Sequence, residues 1–121
     1  MNVKELFEKP IIEIVEQFQK TRETVIKNKY EKIANGFAQS QYEKVIMGRI
    51  ASAADKDGKA IYSNDTKRQA EFAATAATDA DYLALKELNK TLSEDKDNLY
   101  MRLDVLEKIF EAKKLEMELR K

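Results

Sequence analysis

Four leucines, Leu85, Leu92, Leu99 and Leu106, stand seven residues apart in the C-terminal third of the chain. Tyr82, Asn89, Lys96, Leu103, Phe110 and Met117 repeat with the same period, offset by three. An α-helix turns once in about 3.6 residues, so two such series form one stripe along a helix, as the a and d positions of a heptad do. A strand cannot present this pattern to one side, because its side chains alternate with period 2. The stripe therefore predicts a helix of ~40 residues, ~60 Å long at ~1.5 Å per residue. Asn89 and Lys96 make one series polar in its middle, which weakens a coiled coil but fixes its register.

A helix this long needs a partner, and the N-terminal half supplies one. Residues 3–8 offer a turn or two of helix, and Pro10 suits the start of the next, where its missing N–H costs nothing. Ile11, Ile14, Val15, Phe18, Val25, Ile26, Ile33 and Phe37 then recur at helical spacing. Asn35-Gly36 is a plausible C-cap. A continuous helix through Tyr42, Val45, Met47 and Ile50 to Ala54 is preferred, because no second start signal follows Gly36. Glycine inside a helix costs about 1 kcal/mol relative to alanine, which a long packed helix absorbs.

Between the two arms lies "DKDGKAIYSND", residues 55–65. Asp57-Gly58 is a turn dipeptide, Ile61 and Tyr62 are placed to pack back on the helices, and Ser63 or Asn64 can cap the next helix. That helix, about residues 65–77, is Ala-rich. Thr78–Asp81 resembles a capping box with Asp in place of Glu and opens the last helix. The expected architecture is all-α: one domain folded as an antiparallel, coiled-coil-like hairpin of long helices. Its arms are residues 10–54 and 79–120, joined by a turn and short helix over 55–78. Asp57, Gly58, Tyr62, Ser63 and Asn64 form the clasp at the turn. Two arms alone make a thin core, and Leu88, Tyr100, Ile109, Leu115 and Leu119 widen the apolar stripe beyond a two-stranded seam. The expectation is that hairpins associate into a homo-oligomeric bundle, with Leu85, Leu92, Leu99, Leu103, Leu106 and Phe110 as the oligomer seam.

Composition restricts the chemistry. The 121 residues contain no Cys and no His, which removes thiolate sites, disulfides and the commonest general base and metal ligand. An EF-hand fails at "DKDGKAIYSNDT": Gly falls at loop position 4 rather than 6, and Thr66 stands where Glu is needed. A carboxylate–histidine metal centre in a bundle cannot be built without His. Gly36, Gly48 and Gly58 are isolated, so no glycine-rich phosphate loop exists. No nucleophile has a visible activating partner. The expectation is a protein without catalytic residues, metal or cofactor.

Charged residues make up 36% of the chain, 22 basic and 22 acidic, so the formal net charge is zero. A protein that neutralises many phosphates usually carries a basic excess. The densest basic run is Lys20, Arg22, Lys27, Lys29 and Lys32, a candidate nucleic-acid face diluted by Glu23 and Glu31. The segment ahead of the leucine heptad, "AEFAATAATDAD", is acidic and small, which excludes a basic-zipper reading. No apolar run reaches the ~20 residues that span a bilayer, and the first ten residues lack a signal-peptide core. An intracellular protein is expected, with no membrane partner.

Asp57-Gly58-Lys59, then Tyr62-Ser63-Asn64, then Arg68, an Ala-rich helix, and Asp81-Tyr82 ahead of a Leu-rich helix resemble a family of short phage and prophage proteins. Those share an "EDGKxxYSNxxxR" segment and a "DxEYxxL" opening to the final helix. The likeness covers about residues 50–110. Family members tend to lie among early phage genes, near those for recombination and single-strand annealing. The resemblance implies an accessory role in phage DNA metabolism or in countering the host, in the cytoplasm of a bacterium, and assigns no catalytic residue. The chain departs from the family in its last helix, where Arg102, Lys108, Lys113 and Lys114 lie among acids instead of in an Arg-rich patch. The leading expectation is a non-catalytic accessory protein that binds a phage or host protein, with Lys59 and Arg68 as candidate partner contacts at the hairpin tip. The alternatives are a nucleic-acid-binding accessory protein using the Lys20–Lys32 face, and a virion scaffold or assembly factor.

Overall fold

A computed structural model describes residues 2–120. It contains four helices: α1 (Val3–Glu8), α2 (Ile11–Ser52), α3 (Asp65–Thr78) and α4 (Ala80–Leu119). The chain is all-α, and the two long helices α2 and α4 pack on each other as an antiparallel hairpin.

Local chemistry explains each boundary. The Asn2 side chain accepts from the Lys4 N–H at 2.9 Å and caps α1. Pro10 has no N–H to leave unpaired, and its carbonyl accepts from Glu13 and Ile14 at 3.0 and 3.3 Å, so α2 starts directly after it. α2 then passes Gly36 without interruption. Asn64 caps α3 by accepting from the Lys67 N–H at 2.9 Å. The cap of α4 differs from expectation. Asp79, not Thr78, holds the N-cap position: its Oδ1 accepts from the Tyr82 N–H at 3.0 Å. Thr78 still belongs to α3, and its hydroxyl turns back to the Ala74 and Thr75 carbonyls. Asp79 is extended (φ −80°, ψ 110°) and is the single residue between α3 and α4.

Two compact units divide the chain. The first comprises the residues up to Glu31 and those from Leu92 onward. Its core is Leu6, Ile14, Leu106 and Ile109, with Phe18, Val105 and Phe110 packed around them. Full burial of each such aliphatic side chain contributes roughly 1.5–3 kcal/mol. Val25, Thr21 and Asn28 are also buried. The Asn28 amide donates to the Leu92 carbonyl of α4 at 3.0 Å.

The second unit is Lys32–Thr91. Here Asn35 repeats the device one heptad on, its amide donating to the Leu85 carbonyl at 3.0 Å. Ile46, Ile50 and Tyr82 are buried. From Asn28 to Asn35 the chain advances seven residues on α2, and the acceptor retreats seven on α4, as antiparallel helices require.

The face that α2 turns to α4 differs from the simple apolar reading. Thr21, Asn28 and Asn35 are buried, whereas Ile26, Ile33, Phe37 and Val45 are exposed. Consecutive helical residues are about 100° apart, so Val25 and Ile26 cannot both face inward. The asparagines are tolerated inside because each amide finds a main-chain acceptor across the seam. On α4, Leu92 and Leu106 are buried and Leu85, Leu99, Leu103 and Phe110 half-buried within one chain. The surface supplied by Leu92 and Leu106 is thus consumed inside the hairpin rather than left for an oligomer seam.

Candidate interaction surfaces

The most concentrated side-chain chemistry lies in the second unit. Tyr42 reaches from α2 and donates its hydroxyl to both carboxylate oxygens of Asp79, at 2.9 and 3.0 Å. Tyr82 reaches from α4 and donates to Glu43 Oε1 at 2.7 Å. The two rings stack with centroids 6.2 Å apart, and Phe72 of α3 meets Tyr82 edge-on at 6.1 Å. The Tyr82 N–H, and then the Tyr42 hydroxyl, hold the Asp79 carboxyl below the ordinary carboxylate range. The hydrogen bond to Asp79 pushes the Tyr42 phenol up, and the bond to Glu43 together with burial does the same for Tyr82. The phenols are locked as donors and Asp79 as an acceptor, an arrangement that clamps three helices together. Nothing in the sequence around Asp79 and Tyr82 marked Tyr42 as the partner of the first and Glu43 as the partner of the second.

The corner between α2 and α3 is a miniature hairpin. The Gly58 N–H donates to the Asp55 carbonyl at 3.0 Å, and Ala54 and Ala60 form an antiparallel bridge. Gly58 has φ +79°, the left-handed conformation that a type I turn followed by a bulge requires. The residue that organises the turn is Asp55, whose Oδ1 accepts from the Asp57 and Lys59 N–H groups at 2.9 Å each. An Asp two residues ahead of a turn dipeptide was the available signal for this role. Asp57 itself is exposed and bonds through its main chain; Ser63 meets only the Lys67 ammonium, at 3.5 Å. Tyr62 is half-buried beside Ile46, Ile50 and Glu71, while the Ile61 side chain is half exposed and its N–H ties the corner by donating to the Ala53 carbonyl at 3.0 Å. Arg68 is drawn inward, its Nε donating to the Tyr62 carbonyl at 3.1 Å, and Lys59 stays exposed.

The basic run does not form one face. Lys20 and Lys27 lie a heptad apart on one flank of α2, and Arg22 and Lys29 lie on another, roughly 160° away at about 100° per residue. Lys27 pairs with Glu31 at 3.9 Å, Arg22 lies 6.0 Å from the Phe18 ring, and Lys29 lies 6.0 Å from the Tyr100 ring. Lys32 is half-buried. Among the described residues no group of His, Cys, Asp and Glu could hold a metal ion, and no helix is long and apolar enough to cross a membrane.

The outer face of α2 carries a different feature. Ile26, Tyr30, Ile33 and Phe37 are 66, 73, 74 and 66% exposed. Their spacing of four, three and four residues is that of a heptad seam, and they lie roughly half a turn away from Asn28 and Asn35. α2 therefore has two seams: a mixed one that is filled by α4, and a purely apolar one that faces outward. Comparison with family models, with curated proteins and with solved structures returned no match.

Proposed function

We propose that this chain is a non-catalytic binding protein that meets a protein partner through the outer face of α2. The observation that carries the reading is the row Ile26, Tyr30, Ile33 and Phe37, about two-thirds to three-quarters exposed. Its apolar surface, about 600 Å² for four such side chains, reaches the upper range of patches on monomeric proteins, where interaction sites concentrate. Directed helical spacing favours a helix as the occupant, laid along the row as knobs into holes. The separation of the basic residues onto two flanks supports protein over nucleic acid as the partner class. The likeness of the Asp57–Tyr82 segment to short phage proteins suggests the setting: an accessory role in phage recombination or counter-defence, in a bacterial cytoplasm.

The test is a photoreactive amino acid at position 33, activated in cells that express the protein. A covalent adduct with a second polypeptide is expected, and it should vanish when Tyr30 and Phe37 are changed to Glu. A chain that forms no adduct has no partner on this face, and the reading is then wrong.

A further inference from the structure

We infer that Asn35 is a latent modification site. Its side-chain amide is guarded while the seam between α2 and α4 is closed at its level. Once the seam opens there, the amide converts irreversibly to a carboxylate that keeps it open.

The sequence supplies the chemistry. Asn35 is the only asparagine of the chain that precedes a glycine. The Gly36 main-chain nitrogen can attack the Asn35 side-chain carbonyl carbon, because glycine has no Cβ to obstruct the approach. The new C–N bond closes a succinimide ring as the old one breaks, and the proton lost from Gly36 leaves with the amide nitrogen as ammonia. Water then adds to either ring carbonyl and cleaves its bond to the ring nitrogen. The product is aspartate or, with the main chain rerouted through the side chain, isoaspartate. The step needs only water.

Packing does not call for glycine at this place. Gly36 lies inside α2, meets nothing within 4 Å of where a Cβ would stand, and has no positive φ. It only weakens the helix relative to alanine. What it does supply is the reactive pair.

The structure supplies the guard. Asn35 is 6% exposed, and its amide nitrogen donates to the Leu85 carbonyl at 3.0 Å, which holds the side chain toward α4. In an unbroken α2 the Gly36 N–H is bonded to the carbonyl four residues earlier, so its nitrogen is occupied. Asn28 makes the same kind of bond, to the Leu92 carbonyl, but Lys29 follows it and hinders ring closure. Asn28 is therefore an internal control.

Conversion exchanges a donor for an anion. A carboxylate cannot donate to the Leu85 carbonyl, and burying it unpaired against that oxygen is unfavourable. Isoaspartate also lengthens the main chain of α2 and interrupts its hydrogen-bond ladder. Either product prevents the seam from closing again at this level.

The test is peptide mapping by mass spectrometry of the full-length chain, aged in mildly alkaline buffer with and without urea, beside a peptide of residues 33–38. In urea Asn35 should convert at the rate of the peptide. In the native chain it should convert at least ~100-fold more slowly, each tenfold corresponding to about 1.4 kcal/mol of opening free energy. Tyr82→Phe leaves the reactive pair untouched and loosens the clamp in the same unit, so it should speed native conversion about fivefold. Gly36→Ala should slow conversion in urea toward the rate at Asn28. Converted wild-type chains, separated by charge, should lose amide-exchange protection within residues 32–91, and Asn35→Asp should do the same. An amide that persists in urea, or an Asn28 that keeps pace with Asn35, overturns the site. Native conversion at the peptide rate, or a rate unmoved by Tyr82→Phe, overturns the guard. Unchanged protection in the converted chains overturns the one-way step.

Discussion

The two compact units of this chain are stabilised by opposite kinds of interaction. Leu6, Ile14, Leu106 and Ile109 at the core of the first are joined by apolar contact, which has no preferred direction and no titratable group. The second unit is closed by two phenol–carboxylate bonds, Tyr42 to Asp79 and Tyr82 to Glu43, around a stack of rings. A core of the first kind tolerates rearrangement and punishes lost volume. A clamp of the second kind punishes lost geometry and responds to pH. The same two long helices run through both units, so the contrast isolates the contact chemistry from the helix itself.

The contrast can be broken most forcefully at Leu106, which is fully buried. Leu106→Ala should cost about 2–5 kcal/mol in denaturant unfolding, since it removes both transfer energy and packing. A loss under about 1 kcal/mol would mean that the apolar core is not what stabilises its unit. Tyr82→Phe keeps the ring and deletes only the hydroxyl that reaches Glu43, so a loss of about 1 kcal/mol is expected. Hydrogen exchange should place that loss in residues 32–91 and leave the Leu106 region unchanged.

The response to pH sharpens the comparison further. Asp79 is held below the ordinary carboxylate range, so its contribution is present above that range and is lost as pH falls through its depressed value. Tyr42 and Tyr82 are raised, so theirs is present below the ordinary tyrosine range and is lost as pH rises through their raised values. Amide protection should therefore fall at both extremes around Tyr82 while changing less around Ile109. Ultraviolet titration should find Tyr42, Tyr62 and Tyr82 ionising above the usual range, Tyr62 chiefly through burial. The smallest effect is expected at Asn28. Its amide donates across the seam, but its buried carbonyl oxygen accepts from no group. Replacing it with Leu removes one bond and one unpaired acceptor together, so stability should stay within about 1 kcal/mol of wild type. What should suffer is register, read as a loss of sharp amide resonances along the seam.

The helices were legible in the sequence because their signals are local. Pro10, Asn64 and the apolar periods mark α2, α3 and α4 to within two or three residues of where they stand. The facing of α2 was harder, because its apolar residues occupy two stripes on nearly opposite sides, and periodicity alone does not say which stripe meets α4. The deciding signal was polar. Thr21, Asn28 and Asn35 share the seven-residue period of Leu99, Leu92 and Leu85, and counting them as seam positions would have fixed the register. Glu43 and Tyr42 stood beyond such reasoning. Their partners lie more than 35 residues away in sequence, and only the packed hairpin brings them together.

Asp79 has one more consequence. As the single residue between α3 and α4, it leaves the joint no slack. One residue inserted there would advance the phase of α4 by about 100° and carry its leucines off the seam, like a gear engaged one tooth late. The Lys56–Gly58 tip is bound only by its own turn, and added length there would bulge into open space. Over evolutionary time the chain is free to grow at one bend and is held to a fixed count at the other.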